Sequence, residues 1–273
     1  MSAAIPALKT IQITLSKGVA VISHNRPERY NTLSPLVYSE WLDAVRWAAN
    51  CDEAKVTVIT GKGKYYTSGQ ELIPPPPPKA GETMRDVLTK QCENTKNLIA
   101  EMIRFPKLLI GAVNGNAIGF GVTTLALCDV VYAVPGATFK TPFMQLAFCA
   151  EGCSSVLFPR IMGYAKANEM LLMGTEYTSE DFLQSGFISR IIPADKFHDT
   201  VFDLAAQAAQ LPLNAMRLTK ALVRDVDREL LERVNEAEMT LLIDRMLSDE
   251  SMEAVMQFVA NQQKRKSQKN SKL

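Results

Sequence analysis

The chain has 273 residues, 47% hydrophobic and 22% charged, which is ordinary for a soluble globular protein with one large domain or a core plus a smaller appendage. A formal net charge of +1 gives no global basic field that would favour nucleic acid, and no apolar run is long enough to cross a bilayer. The N-terminus lacks the pattern of a secretory signal, and five cysteines without framework spacing favour a reducing compartment.

The first part of the chain predicts a hairpin, a helix and a strand, in that order. KTIQITLSKGVAVISHN alternates apolar and polar residues around Lys17-Gly18, as hairpins do. A helical period follows, with Ser34 as its N-cap and Pro35 at its first position. KVTVIT is a buried strand, and residues 61–82 are a long loop whose five consecutive prolines predict a stiff polyproline II spacer.

The remainder of the chain changes from alternating elements to helices alone. TMRDVLTKQCENTKNLIAEMIRF is an amphipathic helix that stops before Pro106. The strand LLIGAVNG, the Gly-rich turn and helix NAIGFGVTTLALC, and the strand DVVYAV come next, so the order argues for an α/β fold. Helical patterns follow from about residue 194. We therefore predict an α/β core in residues 1–193, a helical region in 194–264 and a basic tail in 265–273.

One carboxylate stands alone in an apolar segment. MQLAFCAEGCSSVLF, residues 144–158, contains Glu151 as its single charged side chain. An unpaired carboxylate is costly to bury, so Glu151 either caps a short helix, points to solvent, or acts as a catalytic base whose pKa is raised by its setting.

Two Gly-rich turns are candidates for anion binding. GNAIGFG, residues 115–121, is neither a P-loop nor G-x-G-x-x-G, but Gly119 and Gly121 bracket Phe120 where a strand turns into a helix. YYTSGQEL is a second turn after a strand, and its Gly69 permits an unusual backbone angle. The pair forms either two ordinary turns or an oxyanion hole with two N–H groups on one oxygen.

Other catalytic classes have little support in the sequence. His24 and His198 are the only histidines, and no G-x-S-x-G elbow is present. His/carboxylate clusters at metal-ligand spacing are absent, so we predict no metal. Cys149 and Cys153 flank Glu151, but two ligands do not make a zinc site, and packing is the favoured role.

Several segments together resemble the crotonase (enoyl-CoA hydratase/isomerase) superfamily. They are VAVISHNRPERYNTLSPLVYSEWLDAV, GKGKYYTSGQEL, PKLLIGAVNGNAIGFGVTTLALCDVVYA and SEDFLQSGFISRII, and the resemblance covers roughly residues 8 to 260. It implies a spiral of β-β-α units with two packed sheets, followed by helices that trimerise. It also implies binding of acyl-CoA thioesters, with coenzyme A in the substrate and no separate cofactor, and stabilisation of a thioester enolate.

The resemblance assigns roles to individual residues. By motif position the oxyanion N–H groups belong to Gln70 and Phe120, and the neighbouring Ser68, Gly69 and Gly119 are implied to contact substrate.

Two departures from the family pattern decide which reaction is expected. The positions of the two hydratase carboxylates hold Thr123 and Phe143, neither of which can move a proton. LAFCAEG instead resembles the segment of Δ3,Δ2-enoyl-CoA isomerases that carries their single catalytic Glu, and that residue matches Glu151. The expected function is therefore isomerisation by a proton shuttle on Glu151.

The last three residues and the rival functions complete the predictions. Ser271-Lys272-Leu273 is typical of a peroxisomal address, which predicts an import receptor as partner. The family resemblance implies a homotrimer or hexamer as the assembly. The alternatives are a specialised peroxisomal hydratase or isomerase, acting on a fungal siderophore or toxin acyl chain, and a non-catalytic acyl-CoA-binding protein of the same fold.

Overall fold

The computed structural model describes the backbone of residues 4–270 and the side chains of residues 4–261. The strands are β1 (Ile11–Ser16), β2 (Val19–His24), β3 (Val56–Gly61), β4 (Tyr65–Thr67), β5 (Leu108–Val113), β6 (Asn116–Ile118), β7 (Val130–Ala133), β8 (Thr138–Lys140), β9 (Tyr177–Thr178) and β10 (Arg190–Ile191). The helices are α1 (Pro35–Asn50), α2 (Met84–Ile103), α3 (Phe120–Thr123), α4 (Ser154–Met173), α5 (Ser179–Gln184), α6 (Phe197–Ala208), α7 (Leu213–Met246) and α8 (Asp249–Asn270). The tripeptide 271–273 lies outside the described residues.

The strands form two sheets that the chain visits in turn. The order β1-β2-β3-β5-β7-β10 makes a six-stranded sheet, and β4-β6-β8-β9 makes a four-stranded one. Each of β3-β4-α2, β5-β6-α3 and β7-β8-α4 places one strand in each sheet and then a helix, with successive strands in a sheet parallel. The predicted spiral of β-β-α units is confirmed.

Local sequence signals explain the first elements. Lys17 and Gly18 both have positive φ, the backbone twist that a tight hairpin turn requires, and β1 pairs antiparallel with β2 through Ser16 and Val19. The Ser34 hydroxyl accepts the Val37 N–H at 3.4 Å and so caps α1. Both predictions are confirmed.

Two predicted elements differ in the structure. The segment 61–82 is not one continuous loop, because β4 pairs with β6 inside it. The helix expected after the Gly-rich turn is a single α-turn, α3, followed by a 3₁₀ turn over 124–127. The Thr124 hydroxyl donates to the Phe120 carbonyl at 2.8 Å and competes there with the helical backbone bond. Within 61–82, residues 74–78 belong to no helix or strand, and their polyproline II form stays a prediction.

The C-terminal helices pack back onto the core. Helix α7 lies along α2, and α8 contacts the turn at Met144–Leu146. From residue 194 the chain is helical, as expected, while the division into units at 193/194 stays a prediction. No helix within residues 4–270 is both long and apolar enough to span a membrane.

Candidate active site

Glu151 lies in the connection between β8 and α4 and is only 5% exposed. The Thr123 hydroxyl donates to its Oε1 at 2.8 Å. Its Oε2 is buried and has no hydrogen-bond partner among the described residues. A solvent-pointing Glu151 is therefore wrong, and its side chain caps no helix.

Burial raises the pKa of Glu151 to about 8, because an apolar setting disfavours the charged form. The hydrogen bond from Thr123 opposes that change, and the negative charge of Glu238 adds to it. At neutral pH the carboxyl group is therefore mostly protonated, and a modest rise in pH ionises it.

The segment around Glu151, residues 144–153, has an unusual backbone. Ala147, Gly152 and Cys153 all have positive φ, of 50°, 67° and 61°. Such conformations cost about 1–3 kcal/mol each for residues with a side chain and persist only where neighbours enforce them. At Gly152 a Cβ would lie 2.6 Å from the Thr123 hydroxyl oxygen, so glycine permits the close approach of this segment to Thr123.

The C-terminal helices hold that segment in place. Glu238 of α7 is 7% exposed and accepts the N–H groups of Cys153 at 2.7 Å and Ser155 at 3.1 Å, so it caps the start of α4. Arg245 donates to the Ala147 carbonyl at 3.0 Å. Sequence reasoning missed Glu238, since nothing in RELLERVNEAEMTLL distinguishes it from the solvated glutamates of the same helix.

The first Gly-rich turn leaves one backbone N–H free. Gly69 has φ of 82°. Leu33 donates to the Gly69 carbonyl at 2.9 Å, and Glu71 donates to the Leu33 carbonyl at 3.0 Å. This parallel bridge turns the Gln70 N–H away from Leu33, and no acceptor within the described residues takes it.

The second turn has the same property. Gly119 has φ of 60° and ψ of −124°, a region that is essentially restricted to glycine, and its N–H donates to the Lys140 carbonyl at 2.8 Å. Phe120 is the first residue of α3, where an N–H has no intrahelical partner. Its N–H meets no acceptor in the described part of the chain either.

The fold brings the two turns into contact. A Cβ on Gly69 would lie 3.0 Å from the Ile118 carbonyl oxygen, and one on Gly121 would lie 2.0 Å from Cγ2 of Thr67. The free N–H groups are therefore carried by two adjacent turns, and Glu151 is tied to the second of them through Thr123. Two adjacent turns that each carry a free N–H, with a buried carboxylate bonded to Thr123 in one of them, are elements from which an oxyanion hole with a base can be built.

The other residues singled out in the sequence are mostly buried. The Ser68 N–H donates to the Tyr30 carbonyl at 2.9 Å, while the Ser68 hydroxyl oxygen is buried without a partner in residues 4–261. Phe143 is buried in the hydrophobic core. His24 is buried against the edge of Trp41, with ring centroids 4.5 Å apart, and burial lowers its pKa to about 3.

The chemistry of the remaining candidates is limited. His198 lies on the exposed part of α6, and all five cysteines are free thiols. The described residues contain no group of three or more metal-binding side chains.

Comparison with known proteins yields consistent matches. The sequence profile of the family described as "Enoyl-CoA hydratase/isomerase" matches residues 14–269. Rat "Enoyl-CoA delta isomerase 2" is 38% identical over 256 residues, and mouse "Enoyl-CoA delta isomerase 3, peroxisomal" is 36% identical over 263. Each alignment covers 94% of this chain, but 65% of the rat protein and 80% of the mouse protein. The chain thus spans just under two thirds of the length of the rat relative.

A solved structure supports the fold. The enoyl-CoA hydratase/isomerase from Pseudoalteromonas atlantica T6c is 26% identical, with a TM-score of 0.83 over 93% of this chain and 98% of that one.

Proposed function

The chain belongs to the enoyl-CoA hydratase/isomerase family, of the crotonase superfamily, and we propose that it is a Δ3,Δ2-enoyl-CoA isomerase that uses Glu151 as its base. The observation that carries this proposal is the buried carboxylate of Glu151, which is bonded through Thr123 to one of two adjacent turns that carry free backbone N–H groups. The relatives named as delta isomerases support the choice of reaction.

The proposed reaction moves one proton and no net electrons. Oε2 of Glu151 takes a proton from C2 of a 3-enoyl thioester, and the C–H electron pair passes into a dienolate. The N–H groups of Gln70 and Phe120 donate to the negative thioester oxygen, an interaction typically worth about 3 kcal/mol for each donor. The same proton then returns to C4, which leaves a C2=C3 double bond and an ionised Glu151.

The surroundings of Glu151 suit isomerisation better than hydration. A hydratase of this family uses two carboxylates, and the positions in question hold Thr123 and Phe143. Both are buried, and Phe143 is part of the apolar core. A dry site protects the dienolate from water and keeps the base basic. No cofactor enters the proposed steps, because coenzyme A is part of the substrate.

Product analysis tests the proposal directly. The protein is incubated separately with 3-enoyl-CoA and with 2-enoyl-CoA, and the products are separated by chromatography. We expect conversion of the first to 2-enoyl-CoA, little 3-hydroxyacyl-CoA from the second, and a loss of at least ~100-fold in the Glu151→Gln variant. Efficient hydration of 2-enoyl-CoA, or full isomerase activity in Glu151→Gln, would reject the assignment.

Peroxisomal location is a further part of the proposal. It is supported by the terminal Ser271-Lys272-Leu273 and by the similarity to a mouse protein named as peroxisomal. A chain lacking these three residues should stay active when purified but appear in the cytosol of cells. Continued import of the truncated chain would show that another signal is used.

We also propose that the chain forms a homotrimer or a hexamer. Helix α7 carries Leu218, Leu222 and Val226 at four-residue spacing, and all three are exposed in the single chain. Light scattering on the purified protein measures the assembly, and a monomer at all concentrations would contradict it.

A further inference from the structure

We propose that the Thr123 hydroxyl is a positioning group for this proton transfer: it holds Oε1 of Glu151 and thereby leaves Oε2 as the oxygen that takes and returns the substrate proton. The inference rests on the proposed function. It gives a task to a residue that the sequence marks only as the replacement of a carboxylate.

The two carboxylate oxygens are in different environments. Oε1 accepts the Thr123 hydroxyl at 2.8 Å. Oε2 is buried and unpartnered within the described residues, although a buried oxygen that never meets a donor is costly. A single donor on one oxygen fixes the rotation of the carboxylate and presents the other oxygen in a constant direction.

Thr123 can also follow the change in protonation. Its oxygen lies 3.2 Å from the Phe120 carbonyl oxygen, in addition to its bond to Glu151. When Glu151 is ionised, the hydroxyl proton points at Oε1. When Oε2 carries the substrate proton and Glu151 is neutral, the hydroxyl can rotate to the Phe120 carbonyl, so it keeps an acceptor in both states. The residue that carries one oxyanion N–H thus also provides the second acceptor.

The residues around Thr123 and Glu151 allow these two side chains to approach each other closely. Glycine at 152 leaves room for the Thr123 side chain, since a Cβ there would lie within 2.8 Å of both its Cβ and its hydroxyl oxygen. Thr124 provides a contrast, because its buried hydroxyl also donates to the Phe120 carbonyl but makes no bond to Glu151. Thr124→Val is therefore a matched control for Thr123→Val.

Other titratable groups lie near Glu151 and can also influence its pKa. They come from α1, α2, α7 and the segment of Glu151 itself: Tyr38, Cys92, Glu238, Cys149 and Cys153. Burial raises the pKa of Tyr38 and of the three thiols, so these four are neutral at pH 7. Among residues 4–261, Thr123 is the one residue whose side chain donates a hydrogen bond to Glu151.

The test follows the Glu151 carboxyl carbon directly. Protein labelled with ¹³C at the glutamate carboxyl is titrated by NMR, and the Glu151 signal is identified by its loss in Glu151→Gln. We expect the titration midpoint in Thr123→Val to rise by about one to two pH units, the free energy of a hydrogen bond to a charged group expressed as a pKa change. Thr123→Ser should restore the wild-type midpoint, and Thr124→Val should keep it.

Kinetics provide the second measurement. In Thr123→Val, kcat at pH 7 should fall at least about tenfold while KM changes little, because fewer molecules carry an ionised base. An unchanged midpoint overturns the proposal, as does a Thr123→Val enzyme with the wild-type rate at every pH. If the wild-type protein does not isomerise 3-enoyl-CoA, the proposed function fails, and the NMR titration still decides whether Thr123 holds Glu151.

Discussion

Raising the pH from about 7 to about 9 should increase the rate of isomerisation about tenfold. The active form of the proposed base is the ionised Glu151, and burial places its pKa at about 8. With that value roughly one molecule in eleven carries the carboxylate at pH 7, and roughly ten in eleven at pH 9. An ordinary glutamate would be fully ionised throughout this range and would give a flat profile.

The same displaced pKa links activity to stability. The folded-state pKa of Glu151 lies above its usual value of 4.5, so its contribution to stability is complete below pH 4.5 and is lost as pH rises through 8. The loss amounts to about 5 kcal/mol at most, taken as the pKa difference times 1.36 kcal/mol. Glu151→Gln removes the ionisation, so the variant should gain stability over wild type as the pH rises from 5 to 9.

The rate is measured from the ultraviolet absorbance of the conjugated thioester, with a blank for thioester hydrolysis at each pH. Stability is measured by urea unfolding of both proteins at pH 5, 7 and 9. A rate that is flat between pH 7 and 9, or a stability difference that does not grow with pH, would refute a buried, proton-binding Glu151.

Three further changes test other parts of the structure. Glu238→Gln removes a negative charge near Glu151, so the pKa of Glu151 should fall and the rate should begin to rise at a lower pH than in wild type. The same change weakens the cap of α4, so the free energy of unfolding should fall by about 1–3 kcal/mol. A rate profile that rises at the wild-type pH would contradict the coupling to Glu151. In the folded protein the pKa of His24 is about 3, below its usual 6.5, so its contribution to stability is lost as the pH falls below 6.5, by about 2 kcal/mol at pH 5. The melting temperature of His24→Leu should therefore fall less than that of wild type between pH 6.5 and pH 5. An equal fall in both proteins would show that other groups cause the acid sensitivity. Phe120→Pro deletes one proposed oxyanion donor and should lower kcat about 100- to 1000-fold in protein whose circular dichroism is native, whereas Phe120→Leu should keep it; normal turnover in the proline variant would remove this N–H from the mechanism.

The elements with strong local signals were predictable from the sequence. The hairpin at Lys17, the cap at Ser34 and the long α2 each depend on residues within a few positions of one another. Strand β4 could not be predicted, because three residues are too few to show an alternating pattern and its pairing partner β6 lies about 50 residues further along the chain. The short α3 depends on threonine hydroxyls that compete with the helical backbone bonds, which a hydrophobic pattern does not reveal.

The candidate site was predictable only in part, for a related reason. A lone charge in an apolar segment pointed to Glu151, and glycine spacing pointed to the turns at Gly69 and Gly119. The contact between Thr123 and Glu151 joins residues 28 positions apart, and Glu238 reaches Cys153 across 85 positions. Nothing local in the sequence signals either contact, since both arise from how the helices pack.

The support that Glu238 gives to the Glu151 segment has a consequence for the timing of synthesis. The base is made early in the second half of the chain, but the residue that fixes its backbone follows 87 positions later. A growing chain on the ribosome therefore contains every proposed reacting group well before it can hold them in place. Catalytic activity should therefore appear only after α7 has left the ribosome and packed against the Glu151 segment. Before that point a nascent chain should not convert thioesters.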